Sequence, residues 1–323
     1  MADSRRWNWT LLLPFPLPFS LPLPLPLLLP LPWAFALALA GGLLSVPAWS
    51  QATVVPPTAS PVAPPAKPAA ATGRFLAEYG PVTNEDYVRY EAVLRADRVL
   101  ENVTASLTQS LRLPQDITVR VEECGSSDAD WDPVTRRVRV CYELLQAVLE
   151  LSVAAAGEDD EARAERWFSG MTTFIVFHEL GHALVDVLPL RTTLVPEVAA
   201  DQFALVALGS AVGQPQEVLG ALEFLRYAVG NEVAEGLGFL ENHGYDRVRV
   251  DRLACGFAGA LPATQPWLEQ LQLLPAVGAV HCGEEFAALD QQWDQWLAPW
   301  LRTPPAPKRQ SSLPGLVRSR LTP

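Results

Sequence analysis

Phe177-His178-Glu179-Leu180-Gly181-His182-Ala183-Leu184 is the stretch from which the rest of the chain is read. Histidines at i and i+4 stand one turn apart on the same helix face, so both imidazoles can reach one metal ion. Glu179 is turned by about 100° from its neighbour and can address a water on that metal without ligating it. From Met171 to Val185 these three are the only ionisable side chains, in a run containing Phe174, Ile175, Val176, Phe177, Ala183 and Leu184. A helix this apolar on all sides is buried, and buried imidazoles beside a buried carboxylate need partners. A zinc ion supplies them.

A catalytic zinc takes a third protein ligand and keeps one position open. The extended metzincin pattern needs Gly and His at positions occupied here by Val185 and Leu188, which excludes that class. Glu197 fits instead. It follows Pro196, a good first helical residue, and opens Glu197-Val198-Ala199-Ala200-Asp201, whose ends share a helix face. Glu197 can ligate while Asp201 accepts a hydrogen bond from the far nitrogen of a liganding histidine. Small Val198, Ala199 and Ala200 let the second helix come close to the first. Asp186, four residues after His182, is the rival ligand.

Working outward, Thr83-Asn84-Glu85-Asp86 caps a helix that carries apolar residues from Tyr87 to Leu107 and ends before Pro114. Asp116 to Glu122 alternates as a strand, Asp132-Pro133 turns the chain, and Arg136 to Val140 alternates again as its hairpin partner. Helices are expected over 142–156, 161–187, 196–209, 215–235, 245–258 and 284–301. The class is α+β, mostly helical with a small antiparallel sheet.

Thirty prolines crowd the first seventy and last twenty residues, which leaves one folded domain over 73–303. Seven basic residues and one acid lie outside it. The core therefore holds 17 basic against 35 acidic residues, a net charge of −18, and no lysine. That surface repels phosphate backbones, so no nucleic-acid partner is expected.

Residues 1–50 read as an export signal or an anchor giving membrane association, with Arg5-Arg6, an apolar stretch to Val46, and small residues before Gln51. A Pro/Ala-rich linker over 51–72 and a disordered basic tail over 304–323 flank the domain. An exported chain, periplasmic or extracellular, agrees with four cysteines, for which sequential pairing (Cys124 with Cys141, Cys255 with Cys282) is the preferred arrangement.

The H-E-x-x-H followed by E-x-x-x-D resembles the gluzincin clan of zinc peptidases, to which thermolysin belongs. More closely, the core is similar to a bacterial family grouped as metallopeptidases on their motifs. The matching stretches are Glu123-Cys124-Gly125, Asp132-Pro133, Cys141-Tyr142-Glu143-Leu144, residues 177–184, Glu197 to Asp201, and His243-Gly244-Tyr245-Asp246 leading to Cys255. The chain departs from the family pattern at Asp251-Arg252, where a tyrosine-asparagine pair is expected. The resemblance implies a zincin-like fold and hydrolysis of a peptide or protein substrate. His178, His182 and Glu197 would hold Zn²⁺, with Glu179 as general base. In zincins the substrate lies against a sheet edge, which makes the strand near 136–140 the expected docking edge.

Of the two remaining histidines, His281 adjoins Cys282, where a disulfide limits its reach. His243 begins a helix with an apolar face of Val250, Leu253, Ala254 and Phe257, and Asp246 is near enough to orient its imidazole. In gluzincins a donor downstream of the third ligand stabilises the oxyanion, so His243 is the expected donor, with Tyr245 or an arginine as alternatives. Two other readings keep the metal: another zinc-dependent hydrolase, and a secreted, non-catalytic zinc-stabilised binding or scaffold protein.

Overall fold

The computed structural model describes residues 71–302, apart from 97, 158–159, 191, 211–214 and 275–280. The expected leader, nearly all of the linker and the basic tail lie outside the described residues. Among those described, no helix is long and apolar enough to cross a membrane.

Four strands form one sheet: β1 (Phe75–Tyr79), β2 (Ile117–Glu122), β3 (Ala129–Asp132) and β4 (Arg137–Cys141), in the order β1-β2-β4-β3. The class is α+β, but the sheet is mixed rather than antiparallel. β2 runs parallel to both β1 and β4, and only β3 is antiparallel, to β4. The Asp132-Pro133 turn does make a hairpin, though its first arm is Ala-Asp-Trp-Asp, not the apolar β2. Because β3 carries the chain back, β4 lies alongside β2 in the same direction.

The alternation in β2 and β4 has its usual cause. Ile117, Val119, Val121, Val138 and Val140 are buried against helices. The other face carries charge: Arg120 pairs with Glu78 and Glu122, and Arg139 with Asp130. A disulfide joins Cys124, just past β2, to Cys141 at the end of β4, with Cα atoms 5.4 Å apart.

The helices are α1 (Glu85–Ala96), α2 (Val99–Ser110), α3 (Tyr142–Ala156), α4 (Glu161–Val187), α5 (Pro196–Ser210), α6 (Pro215–Gly230), α7 (Gly238–Asn242), α8 (Arg247–Ala260), α9 (Gln265–Gln270) and α10 (Cys282–Leu297). The single helix expected between 83 and 107 is two, parted at Arg98, whose φ of 54° is left-handed and ends α-helical progression. α4 is the axis of the domain. It touches α3, α5 and α6, and the sheet through β3 and β4. Every residue from Phe174 to Gly181 is buried, which explains a helix apolar all round.

Candidate metal centre

Gly181 decides how closely the site can assemble. A Cβ placed there would lie 2.7 Å from the Cα of Ala200 and 3.0 Å from its carbonyl oxygen, so only glycine lets α5 approach α4 at this point. The small residues on α5 were expected to permit the approach; the glycine inside the histidine motif does so as well. The approach brings Glu197 and Asp201 onto the histidines. Glu197 Oε2 is 3.3 Å from His178 Nε2, and Glu197 Oε1 is 3.3 Å from His182 Nε2. Asp201 Oδ1 accepts a hydrogen bond from His178 Nδ1 at 2.9 Å.

His243 completes the group from a different direction. It follows α7, which is fastened to the segment before β3: Gly238 N donates to Ser127 Oγ at 3.0 Å, Phe239 N to Ser127 O at 2.9 Å, and Asn242 Nδ2 to Asp128 Oδ2 at 2.8 Å. His243 Nδ1 is thereby held 2.9 Å from Glu197 Oε2 and 3.2 Å from His178 Nε2. Its other nitrogen donates to the Ala129 carbonyl at 3.3 Å and stands 3.4 Å from Glu179 Oε1. One ligand atom from each of His178, His182, Glu197 and His243 lies within 4.8 Å of the others.

Asp186 does not join them. It accepts a hydrogen bond from Trp131 Nε1 at 3.2 Å on the exposed side of α4. His281 is exposed beside Glu284, away from the group. The strand over 136–140 is also not an edge, since β4 is flanked by β2 and β3. The edge nearest the site is β3, with Ala129 against His243 and Trp131 against Asp186.

Arg249 was not anticipated from the sequence. Its Nε is 2.5 Å from Asp201 Oδ2 and its Nη2 is 2.9 Å from Oδ1. The same Nη2 reaches Glu197 Oε2 at 3.2 Å, Nη1 donates to the His243 carbonyl, and the guanidinium lies 3.8 Å over the Tyr245 ring. The Tyr245 hydroxyl donates to Asp201 Oδ1 at 3.0 Å. The one hint in the sequence was spacing: Asp246 accepts from Arg249 N at 2.7 Å as the N-cap of α8, which directs the first turn of that helix at the site.

The electrostatics follow from these contacts. Burial opposes charging His178, but the Asp201 and Glu197 carboxylates outweigh it and push the imidazole up to about 9. Burial likewise opposes charging His243, but the Glu197 and Glu179 carboxylates prevail and raise it. Glu197 is held well below the usual carboxylate range by three imidazoles in spite of its burial. Asp201 is likewise lowered against burial, by His178 and Arg249. Glu179 goes the other way: burial pushes it up, and neither of its buried oxygens has a hydrogen-bond partner among the described residues.

This arrangement suits a divalent cation. With Nδ1 of His178 donating to Asp201, its Nε2 faces His182 Nε2, Glu197 and His243 Nδ1. With Nε2 of His243 at the Ala129 carbonyl, its Nδ1 likewise faces Glu197. Without a metal, protons lie between these nitrogens and the carboxylate, in keeping with the raised His178 and His243, and a divalent cation can take their place. Imidazole nitrogens with one carboxylate form a donor set for a first-row transition metal such as zinc, iron, copper or nickel, rather than for calcium or magnesium.

A protein-family model described as "Putative metallopeptidase" matches residues 79–297, a span that contains every residue of the cluster and of its support. No curated protein and no solved structure matches the chain.

Proposed function

Because the chain belongs to the DUF4344 family of that description, we propose that it is a zinc-dependent peptidase of gluzincin type. The observation that carries this reading is the carboxylate of Glu179, buried, without a hydrogen-bond partner among the described residues, and next to a cluster of metal-ligating atoms. A buried carboxylate without hydrogen bonds is costly, and a purely structural metal site has no use for one. A general base has.

His178, His182 and Glu197 would hold the ion. When bound, Zn²⁺ would lower the pKa of a water toward about 7 and polarise a carbonyl. Glu179 takes a proton from the attacking water and passes it to the leaving amine. Its raised affinity for protons, caused by burial, favours that acceptance. His243, whose Nε2 stands 3.4 Å from Glu179 Oε1, donates from that nitrogen to the oxygen that gains charge as the carbonyl carbon becomes tetrahedral. Asp201 fixes His178 in the tautomer that leaves Nε2 to the metal, and Arg249 fixes Asp201. The outer edge of β3 is the edge along which an extended peptide can lie, backbone against backbone. Two disulfides in the folded domain support an exported, periplasmic or extracellular location.

The position of His243 Nδ1 within the cluster favours one other reading. Four protein ligands close a tetrahedral zinc and leave no place for water, as in a non-catalytic zinc-stabilised protein. Digestion of a peptide library by the purified full chain, with and without a chelator, decides between them. Chelator-sensitive cleavage that zinc restores supports the peptidase. A stoichiometric metal with no cleavage of any peptide supports the closed site.

A further inference from the structure

Gly125-Ser126-Ser127-Asp128, between β2 and β3, carries no apolar side chain, so polar contacts and one covalent bond hold it in place. Cys141 grips both of its ends. The Cys141 sulfur is bonded to Cys124, where the segment starts, and the Cys141 backbone N donates to Asp128 O at 3.1 Å, where it finishes. Glu143, in the first turn of α3, accepts from Cys124 N at 3.1 Å and from Gly125 N at 2.7 Å. The other disulfide, Cys255–Cys282, joins α8 to α10.

The same segment directs α7. Ser127 accepts two N–H groups at the start of that helix, and Asp128 accepts the Asn242 side chain at its end, next to His243. A Cβ on Gly238 would lie 2.9 Å from Ser127 O, so the two backbones meet with no side chain between them. Ala129, the next residue, accepts from His243 itself. Phe239 and Leu240 bury the inner side of α7. A helix barely longer than one turn gains little from its own hydrogen bonds, so the contacts with 127–129 fix the direction in which His243 leaves it. His178, His182 and Glu197 depend on none of these contacts, because α4 and α5 carry them.

We propose that the Cys124–Cys141 disulfide sets the 124–128 segment as the positioning element of His243, so that opening a bond outside the metal centre displaces one of its imidazoles and leaves the ligands of α4 and α5 in place. Asp128 and Asn242 are positioning residues that act through His243. The effect on turnover rests on the peptidase reading, while the displacement stands without it. What this adds is regulation: the centre responds to the redox state of a bond it does not contain.

The reductant is a protein dithiol. Cys141 is fully buried and Cys124 half-buried beside exposed Gly125 and Ser126, so attack falls on the Cys124 sulfur. One thiolate of the dithiol bonds to that sulfur, and Cys141 leaves and takes up a proton. The second thiol then displaces Cys124, which takes up the other proton, and the dithiol closes to its own disulfide. The Glu143 carboxylate, within 4.8 Å of both sulfurs, disfavours a thiolate on either and keeps the bond closed at rest.

The chain has four histidines, so their ring signals can be followed by nuclear magnetic resonance in the full chain, with zinc and without. Alanine variants of His243 and His281 assign those two. Asn242→Asp sets a carboxylate against Asp128 on the exposed side of α7 and should move the His243 signals, leaving those of His178 and His182 near native. Adding Asp128→Asn exchanges donor and acceptor across the pair and should restore them. Cys124→Ser with Cys141→Ser should move the His243 signals as Asn242→Asp does. In both disrupted variants kcat should fall by about 10- to 10²-fold with KM nearly unchanged, on the order of what a misplacement of about 1 Å costs. Native His243 signals in the double serine variant would overturn the coupling. So would loss of its fold, or of all three cluster signals together, since the bond would then brace the whole domain. Native signals in Asn242→Asp would overturn it as well, by removing α7 from the path. Signals that respond as expected in a chain that cleaves no peptide would keep the coupling and discard the peptidase. Peptide cleavage with unmoved His243 signals would keep the peptidase and discard the coupling.

Discussion

Arg249 holds Asp201 through two parallel N–H···O contacts of 2.5 and 2.9 Å, and Asp201 in turn accepts from His178 and Tyr245. A residue of α8 thus governs a histidine of α4 through a carboxylate of α5. Arg249→Gln removes the charge that compensates Asp201 in a nearly buried setting, and breaking such a pair costs about 3–5 kcal/mol. Thermal melting should fall accordingly, and metal affinity, read by chelator competition, should weaken roughly 10–100-fold, as when an outer-shell partner is lost. Arg249→Lys should not restore it, since an ammonium cannot make the paired contact. Unchanged metal affinity in both variants would show that Arg249 braces the fold alone.

Glu197 should decide metal content where Asp186 does not. Elemental analysis of the native chain should give near one equivalent of zinc. Glu197→Ala should lose most of it, and Asp186→Ala should keep it, since Asp186 faces Trp131 away from the cluster. The reverse pattern would exchange the two assignments.

Glu179→Gln preserves shape and removes charge from a side chain that has no hydrogen-bond partner among the described residues. Zinc content should be unchanged and the melting temperature equal or higher, because a buried carboxylate without hydrogen bonds is a burden on the fold. Turnover should fall by at least about 10²-fold. Equal hydrolysis by both proteins would move the base elsewhere.

His243→Ala separates the two roles its position allows. As the oxyanion donor it lowers kcat and leaves KM and zinc content nearly unchanged, because that bond strengthens only in the transition state. As a fourth ligand it lowers zinc affinity outright. Competition with a chelator and steady-state kinetics on the same preparation distinguish these.

Gly181→Ala tests the approach of the two helices. With 2.7 Å available to the new methyl, α5 must retreat, and overpacking of this kind costs about 1–3 kcal/mol. The retreat carries Glu197 with it, so zinc affinity should fall along with melting temperature. A stable variant with native zinc affinity would mean that the helices part without disturbing the site.

Much of this was legible because it is local. His178, Glu179 and His182 share one helix, and Glu197 with Asp201 lies one short connection away, so helical spacing alone brings five groups into range. The cysteine pairs follow from their order along the chain. What escaped depends on contacts between distant segments. Ala129 to Asp132 carries two aspartates and reads as turn rather than strand, so the parallel pairing of β2 with β4 could not be anticipated. β1 is five residues flanked by proline-rich sequence, and α7 is barely longer than one turn. Arg249 looks like any helix-surface arginine until α5 is packed beneath it. His243 was singled out for the right neighbourhood, but its contact with Glu197 depends on α7 being tied to Ser127 and Asp128, more than a hundred residues earlier.

β3 is an open edge, and an open edge welcomes any extended chain, including another copy of the same protein. Long flat edges of that kind template aggregation, and proteins shorten them or charge them. β3 is four residues long and carries Asp130 and Asp132 on the face away from α4. Its shortness and its charged residues both disfavour pairing with a second copy of itself. The same aspartates that hid the strand from its sequence pattern are those that make its edge polar.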